Sequence, residues 1–348
     1  MIYYDVTKTG SASHRSGLIR VGTRLRQELG GAAVPVVWSD RRRTFVAAGA
    51  DVPVPLTPAD WLLTAELFSE AERPGFWDFL RAKPCRRAAI FHDAIPLKLA
   101  DITWPQSVAR HPEYMKMLAS FDRVWANSVA SREDLLGWWR WIGLDATPPV
   151  DVLALGADFS GAARGRGRPA AGLPALLMVG ILEPRKNQTF LLEVCAGLWG
   201  GGLEFDLHLV GRVNPHFGKP VLAAVRRWQK RWPGLHYHAA ADDRLVEQLY
   251  GRVRAAVFPT IAEGCGLPLL EALWQGVPVV CSDLPVLREN ADAGGCLCAA
   301  VNDPAAWSGA LRRVLTEAAV WAQLQTEAVS RPLPVWSEAA AVLRRGLR

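Results

Sequence analysis

Residues 263–271 read EGCGLPLLE, and this stretch decides how the second half of the chain is interpreted. Gly264 and Gly266 allow the backbone to turn tightly and to approach a ligand closely. Pro268 suits the first position of a helix, where its missing N–H would be unpaired anyway. The stretch therefore predicts a strand, a glycine loop and a helix whose positive N-terminal end faces a phosphate or diphosphate.

Two carboxylates bracket the glycine loop. Glu263 enters the loop, and Glu271 lies one turn into the predicted helix, on or near the ligand side. Two acids beside a diphosphate suit the hydroxyl groups of a sugar and of a ribose. Many glycine loops are simple turns, but here the acids, the proline and a preceding apolar run occur together, which favours a binding site.

A pair of cations follows an earlier predicted strand. In VGILEPRKN, residues 179–187, Arg185 and Lys186 lie where a loop enters a helix. Fixed cations in such a place stabilise the negative charge of a diphosphate leaving group. The alternative is two solvated surface cations. Their occurrence in the same half of the chain as EGCGLPLLE favours the binding role.

Apolar runs alternate with helical patterns along the chain, which predicts doubly wound parallel sheets in an α/β fold. The predicted strands are residues 2–6, 34–38, 88–92, 123–126, 150–153, 175–179, 206–210, 235–238, 255–258, 278–281 and 295–298. We predict two domains, residues 1–165 and 170–333, and a C-terminal helix at 334–348. The Gly-, Arg- and Pro-rich segment 161–174 is interpreted as the linker.

Two places in the first half are candidate ligand positions. His92 and Asp93 follow a predicted parallel strand, at the end where ligands of such sheets bind. His92 is predicted to orient a sugar hydroxyl or to contact an acceptor, and a structural role is the alternative. Ser16 and Gly17 open the first predicted helix, either beside a ligand or as an ordinary cap.

A tryptophan cluster indicates a possible membrane contact. Trp138, Trp139 and Trp141 flank Arg140 in LLGWWRWIG, and a Trp/Arg helix can rest on lipid head groups. The alternative is ordinary packing in a chain that has 15 tryptophans. The formal charge of +6 fits an anionic ligand or an anionic membrane surface.

Several classes of protein are not supported. No long basic run with interleaved aromatics indicates nucleic-acid binding. The start MIYYDVTKTG lacks the pattern of a signal peptide, and no apolar run reaches the roughly 18 residues of a membrane span. Six scattered cysteines lack zinc-site spacing, which predicts reduced thiols in the cytoplasm. Neither Asp-x-Asp nor a P-loop occurs, so neither a metal nor a cofactor is predicted.

Together these motifs resemble the family 4 glycosyltransferases, which are retaining, nucleotide-sugar-dependent enzymes with the GT-B fold. VGILEPRKN, VFPTIAEGCGLPLLEA and GVPVVCSDLPVLREN carry the resemblance, which covers residues 175–302. It is absent over residues 41–87, the expected acceptor-facing region. The resemblance implies two Rossmann-like domains that face each other across a cleft, with the helix at 334–348 returning to the first domain.

The resemblance also implies roles for individual side chains. Arg185 and Lys186 look like the cations that hold the donor diphosphate. Glu263 resembles the acid near the donor sugar hydroxyls, and Glu271 resembles the acid that contacts the ribose. His92 is similar to the first-domain histidine that faces the reacting centre.

The remaining donor-side positions implied by the resemblance are backbone positions. They are Gly17, in the mobile glycine loop of the family, and Gly264, Cys265, Gly266 and Leu267. Cys265 stands where the family usually has an aromatic residue. The nucleoside base is expected near residues 238–242.

The implied function is transfer of a hexose from a nucleotide diphosphate sugar to a glycan or lipid-linked glycan in bacterial polysaccharide synthesis, without a metal. DVT…SGLIRV and HDAIPL resemble O-antigen and exopolysaccharide transferases, many of which use GDP-mannose; a UDP sugar is the alternative donor. The expected location is cytoplasmic, at the inner face of the membrane. A non-catalytic sugar-nucleotide-binding or scaffold protein and a GT-B nucleotide-sugar epimerase stay open as alternatives.

Overall fold

The computed structural model describes residues 1–11, 16–158, 163–167, 172–239 and 241–348. The chain divides into two compact units. Unit 1 comprises Met1–Gly156 and Pro334–Arg348, and unit 2 comprises Ala157–Leu333. The division therefore lies before the predicted boundary at residue 165, and the predicted linker 161–174 falls partly outside the described residues.

Unit 1 is built on a doubly wound sheet. Its strands are β1 Ile2–Asp5, β2 Ala33–Ser39, β3 Thr44–Ala47, β4 Trp61–Thr64, β5 Arg86–Phe91, β6 Arg123–Ala126 and β7 Val150–Val152. They lie in the order β3-β2-β1-β4-β5-β6-β7. All neighbours are parallel except β2 and β3, which are antiparallel. The sequence pattern missed β3 and β4.

Helices connect these strands. They are α1 Gly17–Leu29, α2 Phe76–Ala82, α3 Ile95–Lys98, α4 Pro105–Leu118 and α5 Val129–Trp141. Two of them begin at a serine that caps the helix, because a side-chain oxygen there satisfies a backbone N–H of the first turn. Ser16 accepts from the amide of Ile19 at 3.3 Å, and Ser128 accepts from the amide of Ser131 at 3.0 Å.

Unit 2 is an all-parallel version of the same arrangement. Its strands are β8 Ala175–Val179, β9 Asp206–Val210, β10 Leu235–His238, β11 Ala255–Phe258, β12 Val279–Ser282 and β13 Cys296–Ala299. They lie in the order β10-β9-β8-β11-β12-β13. The connecting helices are α6 Gln188–Gly200, α7 Gly218–Gln229, α8 Asp243–Tyr250, α9 Leu267–Trp274 and α10 Pro285–Ala291, and α11 Pro304–Thr316 and α12 Ala318–Ser330 follow the last strand. All six predicted strands are confirmed to within a residue.

Each sheet has one place where the strand order reverses. In unit 1 the reversal lies between β1 and β4, and in unit 2 it lies between β8 and β11. The loops that follow two such strands diverge to opposite faces of the sheet, which leaves a crevice beyond their carboxyl ends. The loops after β8 and β11 contain the two motifs that the sequence singled out.

The last helix, α13 Trp336–Gly346, belongs to unit 1, as the resemblance implied. It packs against α1, and the Arg344 guanidinium donates to the carbonyl of Glu28 at the end of that helix. Gly346 lies so close to Trp125 that an added Cβ would be 2.6 Å from the indole ring. A side chain at this position would push the helix off the sheet of unit 1.

Candidate functional site

Two cations and one carboxylate meet at the strand reversal of unit 2. The Lys186 ammonium lies 2.5 Å from Oε1 of Glu263, and the Arg185 guanidinium lies 3.1 Å from the same oxygen. The side chains of Lys186 and Glu263 are only 8% and 9% exposed. The sequence placed these residues in two separate motifs, and the fold joins them in one cluster.

The backbone of the two loops holds this cluster together. The amide of Ile261 donates to the carbonyl of Arg185 at 3.0 Å, and the Arg185 guanidinium donates back to the carbonyl of Ala262 at 2.7 Å. Asn187 adopts a left-handed conformation, with φ of 62°, and Nδ2 of its side chain donates to the carbonyl of Pro259 at 3.1 Å. The loops after β8 and β11 are therefore fixed to each other before any ligand arrives.

The charges of the cluster balance. Glu183 accepts from Arg185 at 2.7 Å and from the side chain of Asn214 at 2.8 Å, so two acids face two bases. Burial acts to raise the pKa of Glu263, but Lys186 and Arg185 outweigh it and hold that pKa below its usual value. Glu263 is therefore ionised at neutral pH. Glu183 was not predicted, although it lies within the quoted motif.

The Lys186 ammonium also lies over an aromatic ring. It lies 5.0 Å from the ring centroid of Phe258, the last residue of β11. Burial lowers the pKa of Lys186 against the attraction of Glu263, and Arg185 adds to that lowering. A buried amine with such surroundings has a fixed position, which is what recognition of a phosphate oxygen requires.

The glycine loop enters α9 as predicted. Gly266 is the N-cap, with φ of 76°, and an added Cβ would lie 2.7 Å from Cδ2 of Leu287. Cys265 is buried, and its carbonyl accepts from the side chain of Asn290 at 3.1 Å. The small residue at 265 is therefore enclosed within unit 2. Leu267 begins α9 and is buried as well.

Glu271 lies on α9, the helix that follows the glycine loop, and is 3% exposed. Its position one turn from the helix start is the one that the sequence predicted.

In unit 1, His92 and Asp93 follow β5. Nε2 of His92 lies 2.8 Å from the carbonyl of Ala65, at the end of β4. A carbonyl only accepts, so Nε2 carries the proton and Nδ1 is an acceptor. Burial lowers the pKa of His92, which keeps the ring neutral at pH 7. Asp93 accepts from the amide of Ile95, the first residue of α3, at 3.0 Å, and Gly17 begins α1 after the Ser16 cap.

A buried ionic cluster at the strand reversal of unit 1 was not predicted. The Arg73 guanidinium lies 2.7 Å from Asp5 and 2.8 Å from Glu66, and all three residues are at most 1% exposed. Glu66 also accepts from the amides of Lys8 at 2.8 Å and Thr9 at 2.8 Å, in the loop after β1. Burial and the repulsion of Asp5 raise the pKa of Glu66 to about 7. No sequence pattern marks residues 66 and 73.

The prediction that three tryptophans face a membrane is wrong for one of them. Trp139 is 1% exposed, and its indole donates to the carbonyl of Met115 at 2.8 Å, so it belongs to the core of unit 1. Trp141 is 81% exposed. Trp138 lines an open groove of about 480 Å³ together with Trp77. Among the described residues, no helix combines the length and apolarity needed to span a bilayer.

The chain is similar to known glycosyltransferases in both sequence and structure. Residues 173–317 match the family described as glycosyl transferases group 1. The chain is 30% identical over 261 residues to the serotype-specific mannosyltransferase WbdA of Escherichia coli, a match that covers 70% of this chain and 32% of WbdA. The chain thus spans about a third of the length of that relative.

Solved structures show the same fold. The chain is similar to sucrose-phosphate synthase from Thermosynechococcus elongatus, with a TM-score of 0.72 and 16% identity, over 99% of this chain and 97% of that one. It is also similar to WaaG, a glycosyltransferase involved in lipopolysaccharide biosynthesis, with a TM-score of 0.66 and 16% identity, over 98% and 99% of the two chains. Residues 173–317 thus match a group 1 glycosyltransferase domain, and the two sheets have the topology of the GT-B fold.

Proposed function

We propose that the chain transfers mannose from a nucleotide diphosphate sugar to a glycan or lipid-linked glycan in bacterial O-antigen synthesis. The main support for this proposal is the Arg185–Lys186–Glu263 cluster at the strand reversal of unit 2. The similarity to WbdA, a mannosyltransferase by name, supports the sugar. GDP-mannose is the favoured donor, and a UDP sugar is the alternative.

The proposed chemistry rests on charge. When the bond between sugar and phosphate breaks, negative charge grows on the departing diphosphate. Arg185 and Lys186 stabilise that charge, since they are fixed by Glu263 and Glu183 at 2.5–3.1 Å and need little rearrangement. Glu263 has a second proposed role, in which its carboxylate accepts from a hydroxyl of the donor sugar.

The remaining donor contacts come from α9. We propose that the backbone of Gly264, Cys265, Gly266 and Leu267 approaches the phosphates and that Glu271 accepts from the ribose. The helix dipole supports this, because its positive end lies at Gly266. Gly17, His92 and Asp93 are proposed to act from unit 1, with the Nδ1 acceptor of His92 directed at the sugar or the acceptor.

Transfer is proposed to need no metal and to retain the anomeric configuration. Two cations and a helix N-terminus supply the positive charge that a metal would otherwise provide. Activity that persists in EDTA supports the first point, and activity restored only by added Mg²⁺ or Mn²⁺ overturns it. The anomeric proton NMR signal of the product shows whether the configuration is retained.

The proposed location is the cytoplasmic face of the membrane, reached by peripheral contact. Trp141 is exposed beside Arg140, which suits the boundary between head groups and acyl chains. A lipid-linked acceptor would then be within reach of unit 1.

A nucleotide screen tests the donor. We expect GDP to raise the temperature of unfolding more than UDP, ADP or dTDP, because a ligand that binds only the native state stabilises it. The full chain is then given GDP-mannose with and without a mannose-terminated glycan. We expect GDP release that Glu263→Gln abolishes and a product extended by one mannose.

The same assay separates the alternatives. Conversion of the donor sugar to an isomer without acceptor would identify an epimerase. Nucleotide binding with no turnover for any glycan tested would identify a binding or scaffold protein. A larger thermal shift with UDP than with GDP would identify a UDP sugar, rather than GDP-mannose, as the donor.

A further inference from the structure

We propose that unit 2 binds one transition-metal ion of the zinc class through Asp206, His208 and His236, at a site separate from the Arg185–Lys186–Glu263 cluster. The candidate ligand atoms of these three residues lie within 4.8 Å of one another. Two imidazoles and a carboxylate are a donor set that Zn²⁺ accepts in proteins, with water in the fourth position.

Strand geometry brings the three side chains to one face. His208 on β9 lies directly opposite His236 on β10 in a parallel pairing. Asp206 precedes His208 by two residues, and alternate residues of a strand share a face. Leu207 and Leu209 point to the other face, into the core of unit 2. The burial of these leucines therefore forces the polar residues together.

The distances suit a tetrahedral ion. Nε2 of His236 lies 3.3 Å from Oδ1 of Asp206. Two ligands that each bind a tetrahedral Zn²⁺ at about 2.0 Å lie about 3.3 Å apart. The ring of His208 stacks on that of His236, with centroids 4.8 Å apart. Because the three ligand atoms lie within 4.8 Å of one another, a movement of about 1.5 Å brings them to tetrahedral separation.

A fourth residue holds His208 in position. Nδ1 of His208 lies 3.1 Å from Nε2 of His238, two residues along β10 from His236. In the tautomer that binds the ion, Nδ1 of His208 donates to Nε2 of His238, and the lone pair on Nε2 of His208 is left for the ion. A metal-binding histidine usually has its second nitrogen fixed by such a hydrogen bond, which sets the ring orientation.

The location indicates a structural effect. Among the described residues, β10 is the edge strand of its sheet and has β9 as its neighbour. An ion bound to both strands would fasten the edge without touching the loops after β8 and β11. The side chains of His236 and Asp206 are 40% and 31% exposed, so an ion can enter from solvent.

The test uses the full chain, freed of metal by EDTA and dialysed, and titrated with Zn²⁺ by calorimetry and by thermal unfolding. We expect one ion to bind and to raise the unfolding temperature, and we expect Mg²⁺ to do neither. His208→Ala and His236→Ala should weaken Zn²⁺ binding at least about tenfold. Asp206→Asn should weaken it as well.

Two control variants make the result specific. His216→Ala removes an exposed histidine outside the cluster, and Cys298→Ser removes a thiol that lies 3.8 Å from the sulfur of Cys281. Both should bind Zn²⁺ like the unchanged chain. Loss of binding in Cys298→Ser but not in His208→Ala would assign the ion to the thiols and overturn the proposal. No Zn²⁺ binding by the unchanged chain would overturn it too.

Thermal unfolding of the metal-free variants identifies any variant that folds poorly. If metal-free His208→Ala unfolds at the same temperature as the metal-free unchanged chain, the loss of the Zn²⁺-induced shift reports the site itself. Co²⁺ gives a second readout, because thiolate ligands produce an intense charge-transfer band that histidine and carboxylate ligands do not. The proposal requires a tetrahedral Co²⁺ spectrum without that band, and a thiolate band would contradict it.

Discussion

The ammonium of Lys186 lies 2.5 Å from Oε1 of Glu263, although 77 residues separate the two along the chain. The pair joins the loop after β8 to the loop after β11, at the one point of the sheet where loops diverge. Its burial makes both partners sensitive to the loss of the other. This relationship gives the first prediction.

Lys186→Met should lower kcat for sugar transfer about 100- to 1,000-fold, as removal of one fixed charge from a leaving-group site does in other enzymes. It should also lower the free energy of unfolding by about 3 kcal/mol, because Glu263 loses a buried partner. Steady-state kinetics and urea unfolding measure the two effects. Lys219→Met, at an exposed position on α7, is the matched control.

The double variant Lys186→Met, Glu263→Gln separates the two effects. It should recover part of the lost stability, because no unpaired charge is left buried, but none of the activity. If the single Lys186 variant retains normal kcat, the cation has no part in transfer.

Glu66 should make the stability of unit 1 depend on pH. Its pKa is raised from 4.5 to about 7 in the folded chain, so the folded state binds more protons than the unfolded state between these values. The contribution of Glu66 to the free energy of unfolding is therefore greatest below pH 4.5 and falls as the pH rises to about 7. The full difference is about 3 kcal/mol.

Glu66→Gln should remove that part of the slope, and Glu133→Gln, which changes an exposed acid on α5, should leave it unchanged. Urea unfolding at pH 5 and pH 8 measures the difference between the variants. An identical slope in the Glu66 variant and the unchanged chain would show that the group titrates normally.

Gly266→Ala should destabilise unit 2 and weaken nucleotide binding. The residue has φ of 76°, and the added Cβ would lie 2.7 Å from the side chain of Leu287. The left-handed conformation alone costs about 1–2 kcal/mol for a residue with a Cβ. Urea unfolding and a nucleotide titration measure both consequences.

Gly197→Ala is the control for Gly266. Gly197 lies inside α6, and apart from the helix's own backbone no atom of the described residues lies within 4 Å of an added Cβ there. Alanine at this position should stabilise the chain by up to about 1 kcal/mol. Equal effects of the two substitutions would mean that the loop tolerates a different backbone conformation.

Trp141→Ser should weaken binding to vesicles that contain anionic lipid, with no change in the free energy of unfolding, because this side chain is 81% exposed. Trp139→Ser should instead destabilise the core by about 3–5 kcal/mol. Co-sedimentation with vesicles and urea unfolding distinguish the two. Unchanged sedimentation of the Trp141 variant would contradict the proposed membrane contact.

Sequence patterns predicted unit 2 better than unit 1. The strands β8 to β13 are continuous apolar runs between helical patterns, which is how a strand buried on both faces reads. In unit 1, β3 and β4 lie within residues 33–75, where short strands and turns leave no clear period. β4 is four residues long and is defined by its neighbours β1 and β5 rather than by its own pattern.

The tryptophans of α5 show that residue composition does not predict which side chains are buried. Trp139 and Trp141 are two residues apart, and each helical residue turns the chain by about 100°, so the two side chains point to different sides. Leu135 and Trp139 are four residues apart and are both buried. This spacing was readable in the sequence and would have assigned Trp139 to the core.

The local structure of this protein follows from its sequence alone: the alternating strands and helices, the glycine turn at Gly266 and the residues that bear charge beside it. These features depend on neighbours in the chain, through hydrophobic period and backbone conformation. Which charges meet depends on the tertiary fold. Glu263 meets Lys186, Asp5 meets Arg73, and His208 meets His236 because parallel strands bring distant segments side by side, and that pairing has no signature in either segment alone.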